Sequence, residues 1–350
     1  MFSNLDLIVF LPILFAFLIT LLATPLSIRL IRKFSILDDP KTHKHPAVIH
    51  KKPVPRGGGI PLFIGVFVSA LIFIPMTKVT ISFLIAAFIS LVVGILDDKL
   101  DLSPYFRFAM NIVSAIIVVS AGTTVPFITN PFGGILYLNQ LPFLAEIIAV
   151  VWIVWAMNML NWSKGVDGQM PGIVAISAAV IGILSLRFIA LDQNSLVAAK
   201  LSFIIAGSSL GFLIYNFYPA RIFPGYSATS IYLLLAVVSI LSSAKLATAI
   251  LVMGVPMVDG IFTILRRLIS GRSPFWHDKK HLHHLLLSLG LSQRTIALSY
   301  WIFSAILGAL ALVLSSRGKL FAIILVLIIV FGGILFLQFL VRRYNEKSSF

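Results

Sequence analysis

Apolar residues recur along this chain in runs long enough to cross about 30 Å of hydrocarbon. They fall at Leu7–Ile31, Ile60–Met76, Ile81–Leu96, Phe106–Ala121, Leu144–Leu160, Ile173–Leu191, Leu201–Phe217, Thr229–Leu241, Leu246–Leu265, Ile296–Leu314 and Leu320–Val341. The pattern predicts an all-α polytopic membrane protein of ten or eleven helices. Ten is the competing count because the turns within Ile60–Leu96 and Thr229–Leu265 are short. The first run reads as an uncleaved signal anchor, with no small-residue cleavage site before Arg29. Between Val125 and Leu141, Gly133-Gly134 separates two short apolar runs and predicts a small hairpin. No repeat or linker divides residues 1–350, so a single transmembrane domain is expected, with polar loops at 32–59, 97–105, 161–172, 216–228 and 266–295.

Composition narrows the class. Of 350 residues 59% are hydrophobic and only 11% charged, and the mean hydropathy is +1.05. A soluble domain would carry about a quarter charged residues, so a soluble enzyme, a disordered tail and a fibre are excluded. There is no cysteine, which excludes disulfides, iron–sulfur clusters and thiolate metal sites. The net charge of +15 is read as orientation and attraction for anionic head groups and substrates, not as nucleic-acid binding, because no groove-reading motif accompanies it. With eleven spans and the N-terminus outside, only Lys78, Arg187, Lys200, Lys245, Arg317 and Lys319 of the 27 Lys and Arg lie outside. The other 21, and the C-terminus, lie on the cytoplasmic side of a plasma membrane, as the positive-inside tendency requires.

The same face collects the residues capable of chemistry. All seven histidines fall in two inner loops, and Asp38, Asp39, Asp97, Asp98, Asp101, Asp167, Asp259 and Asp278 lie on that side or at its boundary. In the first loop Lys51, Lys52 and Arg56 precede Gly57-Gly58-Gly59 at a helix start, where backbone amides and full charges suit a phosphate; a hinge in a basic loop is the plainer reading. Asp97-Asp98 closes an apolar run, which suits a divalent cation, a proton acceptor or a simple interfacial stop beside Lys99. Asn158 and Asn161 share a helix face ahead of Lys164-Gly165-Val166-Asp167-Gly168, a grouping suited to a sugar or nucleobase or to a helix cap. Asn216-Phe-Tyr-Pro219-Ala220-Arg221 crowds polar and turn residues at the same side. In Trp276–His284, His277, His281 and His284 would share a helix face, fit either for zinc or for a phosphate clamp with the neighbouring lysines.

Taken in order, the loop from Asp38 to Gly59, the Asp97-Asp98 pair, the Asn158/Asn161/Asp167-Gly168 segment, the Asn216 to Phe223 segment and His281-Leu282-His283-His284 resemble the polyprenyl-phosphate N-acetylhexosamine-1-phosphate transferases, glycosyltransferase family 4. The His-Leu-His-His form and the Lys-Pro-Val-Pro-Arg-Gly-Gly run are closer to its N-acetylglucosamine 1-phosphate branch. The resemblance implies transfer of a sugar 1-phosphate from a UDP-sugar to undecaprenyl phosphate with release of UMP, assisted by Mg²⁺, at the start of cell-wall or surface-glycan synthesis. It implies Asp97 and Asp98 near the lipid phosphate and metal. Asn158, Asn161 and Asp167 would line the nucleotide-sugar pocket, Asn216 and Arg221 would lie beside the diphosphate, and His281, His283 and His284 would be phosphate-binding or catalytic. It leaves a homodimer open.

Two positions depart from the family pattern. Lys164 stands where an aspartate is usual, and Tyr226 where the family has a metal-ligand aspartate, a local change of +3 in formal charge. Three readings compete. The chain has lost catalysis and keeps lipid or nucleotide binding; it holds Mg²⁺ through Asp97 and Asp98 alone; or Lys164, hydrogen-bonded to Tyr226, replaces the metal's charge. The last is the favoured hypothesis. A transporter ranks behind these, since mid-span positions carry almost no charge.

Overall fold

A computed structural model describes residues 5–41, 50, 52–130, 133–190, 192–241, 246–276, 278 and 280–348. A π-helical turn, Asp6–Phe10, runs into α1 (Leu11–Lys33). The helices that follow are α2 (Gly59–Phe73), α3 (Lys78–Leu100), α4 (Pro104–Ser120), α5 (Leu144–Trp162), α6 (Gln169–Leu186) and α7 (Gln193–Asn216). They continue as α8 (Thr229–Ile240), α9 (Leu246–Val252), α10 (Gly254–Ile269), α11 (Leu282–Ser288), α12 (Gln293–Val313) and α13 (Ser316–Ser348). Two short antiparallel ribbons complete the chain: β1 (Leu37–Asp38) with β2 (Val54–Pro55), and β3 (Phe127–Thr129) with β4 (Ile135–Tyr137). The second ribbon is the hairpin expected around Gly133-Gly134.

Ten of the eleven apolar runs each fall mainly on one helix, Leu246–Leu265 is divided between α9 and α10, and the multi-span helical class holds. Seven helices are long and apolar enough to cross a membrane, and α9 with α10, bent by 81° at a short break, makes an eighth. The count of ten or eleven is reached only by adding α2, α4 and α8. These have 15, 17 and 12 residues, and at 1.5 Å per residue a 12-residue helix covers only about 18 Å of hydrocarbon. Helix α8 has no exposed residue. It is the axis of the bundle, surrounded by α2, α3, α5, α6, α7 and α9.

On α1 the packing is largely reversed relative to a soluble protein. Its buried positions are Pro12, Ala16, Thr20, Thr24, Ser27 and Ile31, while Leu14, Leu18, Leu22 and Leu26 are exposed. Lipid solvates leucine as well as a protein interior does, so helix contacts select small residues and hydroxyls. Thr20 accordingly donates to Ser208 on α7 at 2.9 Å, and Ser208 donates to the Leu62 carbonyl at 2.9 Å.

Local signals set the helix ends that matter for the site. Asp101 closes α3 in the left-handed region at φ 50°, and Ser103 accepts the Phe106 amide to start α4 with Pro104 in its first turn. This turn places Asp97 and Asp98 at the end of α3 beside the first turn of α4. The starts of α2, α6, α8 and α12 and the ends of α5, α7 and α10 lie at the same end of the bundle, because the helices alternate in direction.

Close backbone approach at this end depends on glycine. A Cβ on Gly94 of α3 would lie 2.3 Å from the Ser227 Cα, and one on Gly59 would lie 2.1 Å from the Ser227 carbonyl carbon. Gly94→Ala should therefore destabilise the protein by about 1–3 kcal/mol or more despite the better helix propensity of alanine. Gly332→Ala on α13, where nothing lies within 4 Å, should be neutral or stabilising. Thermal unfolding of both variants in one detergent checks the contrast, and equal melting temperatures would refute it.

Candidate active site

Two adjacent carboxylates at the C-terminal end of α3 face the negative end of the helix dipole, an unfavourable place for an anion. Both are buried, Asp97 at 0% and Asp98 at 4% exposure. They persist because cations and amides are brought to them from elsewhere. Arg107, on α4, spans both oxygens of Asp97 with Nη1 at 3.2 and 3.1 Å. Arg56, between β2 and α2, sets Nε 2.9 Å from Asp98 Oδ1 and Nη2 3.6 Å from Asp97 Oδ2. Asp98 also accepts the backbone amides of Tyr226 at 2.6 Å and Ser227 at 3.1 Å, at the threshold of α8. Gly225 makes room for it: its φ is +69°, and a Cβ there would sit 2.2 Å from Asp98 Oδ2.

The glycine loop has a different task from the one its sequence suggests. The amides of Gly57 and Gly58 donate to the Phe223 carbonyl, and Gly59 donates to the Pro224 carbonyl and the Ser227 hydroxyl. Phe223 in turn donates to the Pro55 carbonyl at 2.8 Å. These amides bind another loop of the chain, so the charge offered to an anion here comes from Arg56. Lys51 lies outside the described residues.

Tyr226 and Lys164 meet beside the carboxylate pair. The Tyr226 hydroxyl accepts from Asn111 Nδ2 at 3.0 Å. The Lys164 ammonium faces the Tyr226 ring, 5.9 Å from its centroid, and Arg107 lies 5.1 Å from the same centroid. The expected Lys164–Tyr226 hydrogen bond is thus replaced by a cation over an aromatic face. Burial raises Tyr226 to about 12, so the phenol is neutral. Burial, helped by the like charges of Arg56 and Arg107 and opposed by Asp98 and Asp97, lowers Lys164 from 10.5 to about 7.

The arrangement is poorly suited to a divalent cation. Mg²⁺ requires several hard oxygen ligands at about 2.0–2.1 Å. Here both carboxylates are already engaged by two guanidinium groups and two amides, and an ammonium and a phenol stand alongside. Among the described residues no group of three or more His, Asp or Glu side chains converges as a metal site. The same holds for zinc at the histidines.

The turn after α5 carries the nucleotide-sugar candidates. Asp167 accepts the Ala220 amide at 2.9 Å, and its own amide donates to Gln293 Oε1 at 3.2 Å. Burial raises the Asp167 pKa against the pull of the Ala220 amide and His50. Asn216 accepts the Gly168 amide at 3.1 Å and donates to the Ile222 carbonyl at 2.9 Å, so its side chain is occupied in bracing one loop on the other. Arg221 is exposed at the edge of this brace. Asn158 donates to the Val154 carbonyl of its own helix at 2.7 Å. Asn161 Oδ1 is buried without a hydrogen-bond partner, an orphaned acceptor suited to a donor on a sugar or base.

The histidines form a stack instead of a single helix face. His281 is extended (φ −67°, ψ 153°) at the cap position of α11, whose first residue is Leu282, and His277 lies outside the described residues. His281 Nδ1 is 2.8 Å from Asp259 Oδ2, with Thr263 Oγ1 at 3.3 Å, and Asp259 Oδ1 accepts the Leu282 amide at 2.9 Å. The His281 and His283 rings are stacked 5.6 Å apart, and His284 follows 4.3 Å from His283. His283 packs against Gly165, where a Cβ would lie 1.9 Å from its Nε2. Burial first, then the neighbouring His284 and His281, lower His283 well below the usual histidine range, so it is neutral.

A continuous set of contacts therefore joins Asp97, Arg107, Tyr226, Lys164, Gly165, His283, His281 and Asp259, drawn from six helices and loops. Two members, Arg107 and Asp259, and the neighbouring Asn111 are not among the site residues expected from sequence, although Asp259 is counted with the inner-face acids. Arg107 is the one cation within the run Phe106–Ala121, and Asp259 the one acid within Leu246–Leu265. A lone ionisable group inside an apolar run is the available signal.

Two measurements test the electrostatics. Asp98→Asn leaves Arg56 short of a buried partner and should cost about 3–5 kcal/mol, whereas Asp101→Asn, exposed at the α3 cap, should change little. Separately, the unfolded chain holds the Lys164 proton up to 10.5 and the folded chain only to about 7. The unfolded state binds more protons between those limits, so stability rises with pH across that window. The melting-temperature difference between wild type and Lys164→Met should change across it; a flat difference would contradict the assignment.

Comparison with known proteins agrees with this architecture. The model of Glycosyl transferase family 4 matches residues 80–243. A probable undecaprenyl-phosphate N-acetylglucosaminyl 1-phosphate transferase from Bacillus subtilis is 34% identical over 95% of this chain and 93% of its own length. A decaprenyl-phosphate N-acetylglucosaminephosphotransferase from Mycobacterium leprae is 29% identical over 85% and 83%, and an undecaprenyl-phosphate alpha-N-acetylglucosaminyl 1-phosphate transferase from Haemophilus influenzae 28% over 85% and 83%. With that identity running nearly end to end and the motif segments meeting at one end of a helical bundle, the chain belongs to glycosyl transferase family 4, as a membrane-embedded phosphoglycosyl transferase.

Proposed function

We propose that the chain transfers N-acetylhexosamine 1-phosphate from a UDP-sugar to undecaprenyl phosphate at the cytoplasmic face of the plasma membrane, releasing UMP. The observation that carries this reading is the contact set from Asp97 to His281, which gathers cations, an amide and a held imidazole on one side of an apolar bundle. The names of the relatives support the polyprenyl phosphate and the N-acetylglucosamine. The distribution of Lys and Arg supports an external N-terminus and an inner active face.

In this reaction an oxygen of the lipid phosphate attacks the sugar-bearing phosphorus of the UDP-sugar. The bond from that phosphorus to the bridging oxygen breaks, and UMP leaves with the electron pair. Such a displacement mainly needs positioning and neutralisation of spreading negative charge. Arg56, Arg107 and Lys164 supply charge, and Asn161 has an unused acceptor for the sugar or base. Leu96, Leu100 and Phe106 are exposed beside Asp97 and Arg107, which lets a prenyl chain remain in lipid while its phosphate reaches the cations. With Nδ1 held by Asp259, His281 presents its other ring nitrogen to a phosphate oxygen.

The second reading, a relative that binds without transferring, rests on Lys164 and Tyr226 standing at family aspartate positions. Protein in lipid nanodiscs with undecaprenyl phosphate and a panel of labelled UDP-sugars separates the two. A lipid diphosphate sugar plus equimolar UMP is expected, with UDP-N-acetylglucosamine among the donors. Binding without product in Mg²⁺, in Mn²⁺ and in chelator would favour the second reading. Asp259→Asn should lower kcat by about 10²-fold or more while KM for the UDP-sugar stays within a few-fold, because it acts through His281; an unchanged kcat would remove His281 and Asp259 from the mechanism.

A further inference from the structure

The charge at the reacting diphosphate, on the reaction proposed above, has to come from somewhere, and the carboxylate pair is arranged to hold side-chain cations. We propose that Arg56, Arg107 and Lys164 form a built-in cation cradle that binds the diphosphate directly, in place of a divalent metal ion.

Four observations carry this. First, the carboxylate oxygens are engaged. Asp97 receives Arg107 on both oxygens and Arg56 at 3.6 Å, and Asp98 receives Arg56, the Tyr226 amide and the Ser227 amide. A metal ion bound there would have to displace guanidinium groups from a buried pair. Second, three basic side chains meet two carboxylates, so the protonated site carries one positive charge in excess, fully below about pH 7 and above it once an incoming anion holds the Lys164 proton. Lys164 accounts for it: among the described residues no carboxylate lies within ion-pair distance of its ammonium. Third, Tyr226 holds the cations without cancelling them. Its hydroxyl is turned to Asn111, so its ring is what Arg107 and Lys164 see, at 5.1 and 5.9 Å. An aromatic face attracts cations while carrying no net charge. Fourth, the guanidinium groups are fixed before binding. Arg107 spans Asp97 with one nitrogen and Arg56 reaches the pair with Nε and Nη2, leaving further N–H donors on both for phosphate oxygens. Asp97 and Asp98 are positioning residues in this account.

The test is binding of UDP and of inorganic pyrophosphate to the full chain in nanodiscs, in excess EDTA and in excess Mg²⁺. Wild type should bind both probes with Kd values within about twofold of each other in the two buffers. Loss of one charge-assisted contact in Lys164→Met should weaken binding by about tenfold to a hundredfold, and Lys164→Arg should recover most of it. Binding that disappears in EDTA and returns with Mg²⁺ would overturn the proposal, as would Lys164→Met binding like wild type. Should Lys164→Met fail to fold, the EDTA comparison and Lys164→Arg still decide. The double variant Lys164→Asp with Tyr226→Asp should make UDP binding depend on Mg²⁺; equal binding in EDTA would count against the cradle. These outcomes are separate from those for the reaction. UDP binding in EDTA with no lipid product sinks the transfer and leaves the cradle standing, whereas transfer that requires Mg²⁺ does the reverse.

Discussion

The Asp98 carboxylate is the contact on which this end of the molecule depends. It accepts from Arg56 at the start of α2 and from two amides at the start of α8. One side chain at the end of α3 thereby fixes two other helix starts, one of them belonging to the buried axis of the bundle. The position is costly for the helix that carries it, since the dipole of α3 disfavours an anion there, and favourable for α8, whose N-terminal end welcomes one. Glycine at positions 59, 94 and 225 is what lets the three segments come this close. Stability and function share these residues: the groups that hold the loops together also position the guanidinium groups.

The site is consequently built in layers. Asp98 and Asn216 join loops to one another and have little left to offer a ligand. Arg107, Lys164, Asn161 and His281 are the groups that the proposed reaction uses, each held by a partner or left with an unused atom. His283, neutral and wedged on Gly165, links the Lys164 turn to the His281 imidazole on which it stacks. Lys164 and Tyr226 fit this scheme because Arg56 and Arg107 reach the same carboxylate pair.

Much of the architecture was legible in the sequence because it follows from periodicity and length. The helices follow from the apolar runs, the hairpin from Gly133-Gly134, and the collection of motif loops at one end from alternating helix direction. What was not legible depends on pairing across the fold. Gly57-Gly58-Gly59 reads as an anion loop until Phe223 and Pro224 are seen to take its amides. The spacing of His277, His281 and His284 suggests a helix face, but α11 begins only after His281. Arg107 and Asp259 sit in runs whose length and hydropathy are ordinary, and only their partners, Asp97 and His281, reveal their roles. The short α8 was counted as a span on composition, although a helix buried on every side needs no lipid to cover it.

Helix α1 has a consequence for how the molecule is assembled. Two of its inward hydroxyls are satisfied within the helix itself: Thr24 donates to the Thr20 carbonyl and Ser27 to the Ala23 carbonyl. The third, Thr20, finds Ser208 only 188 residues later in the chain. Among acyl chains, with its leucines outward, α1 is therefore satisfied in all but one inward hydroxyl, and docking against α7 supplies the partner that this hydroxyl lacks.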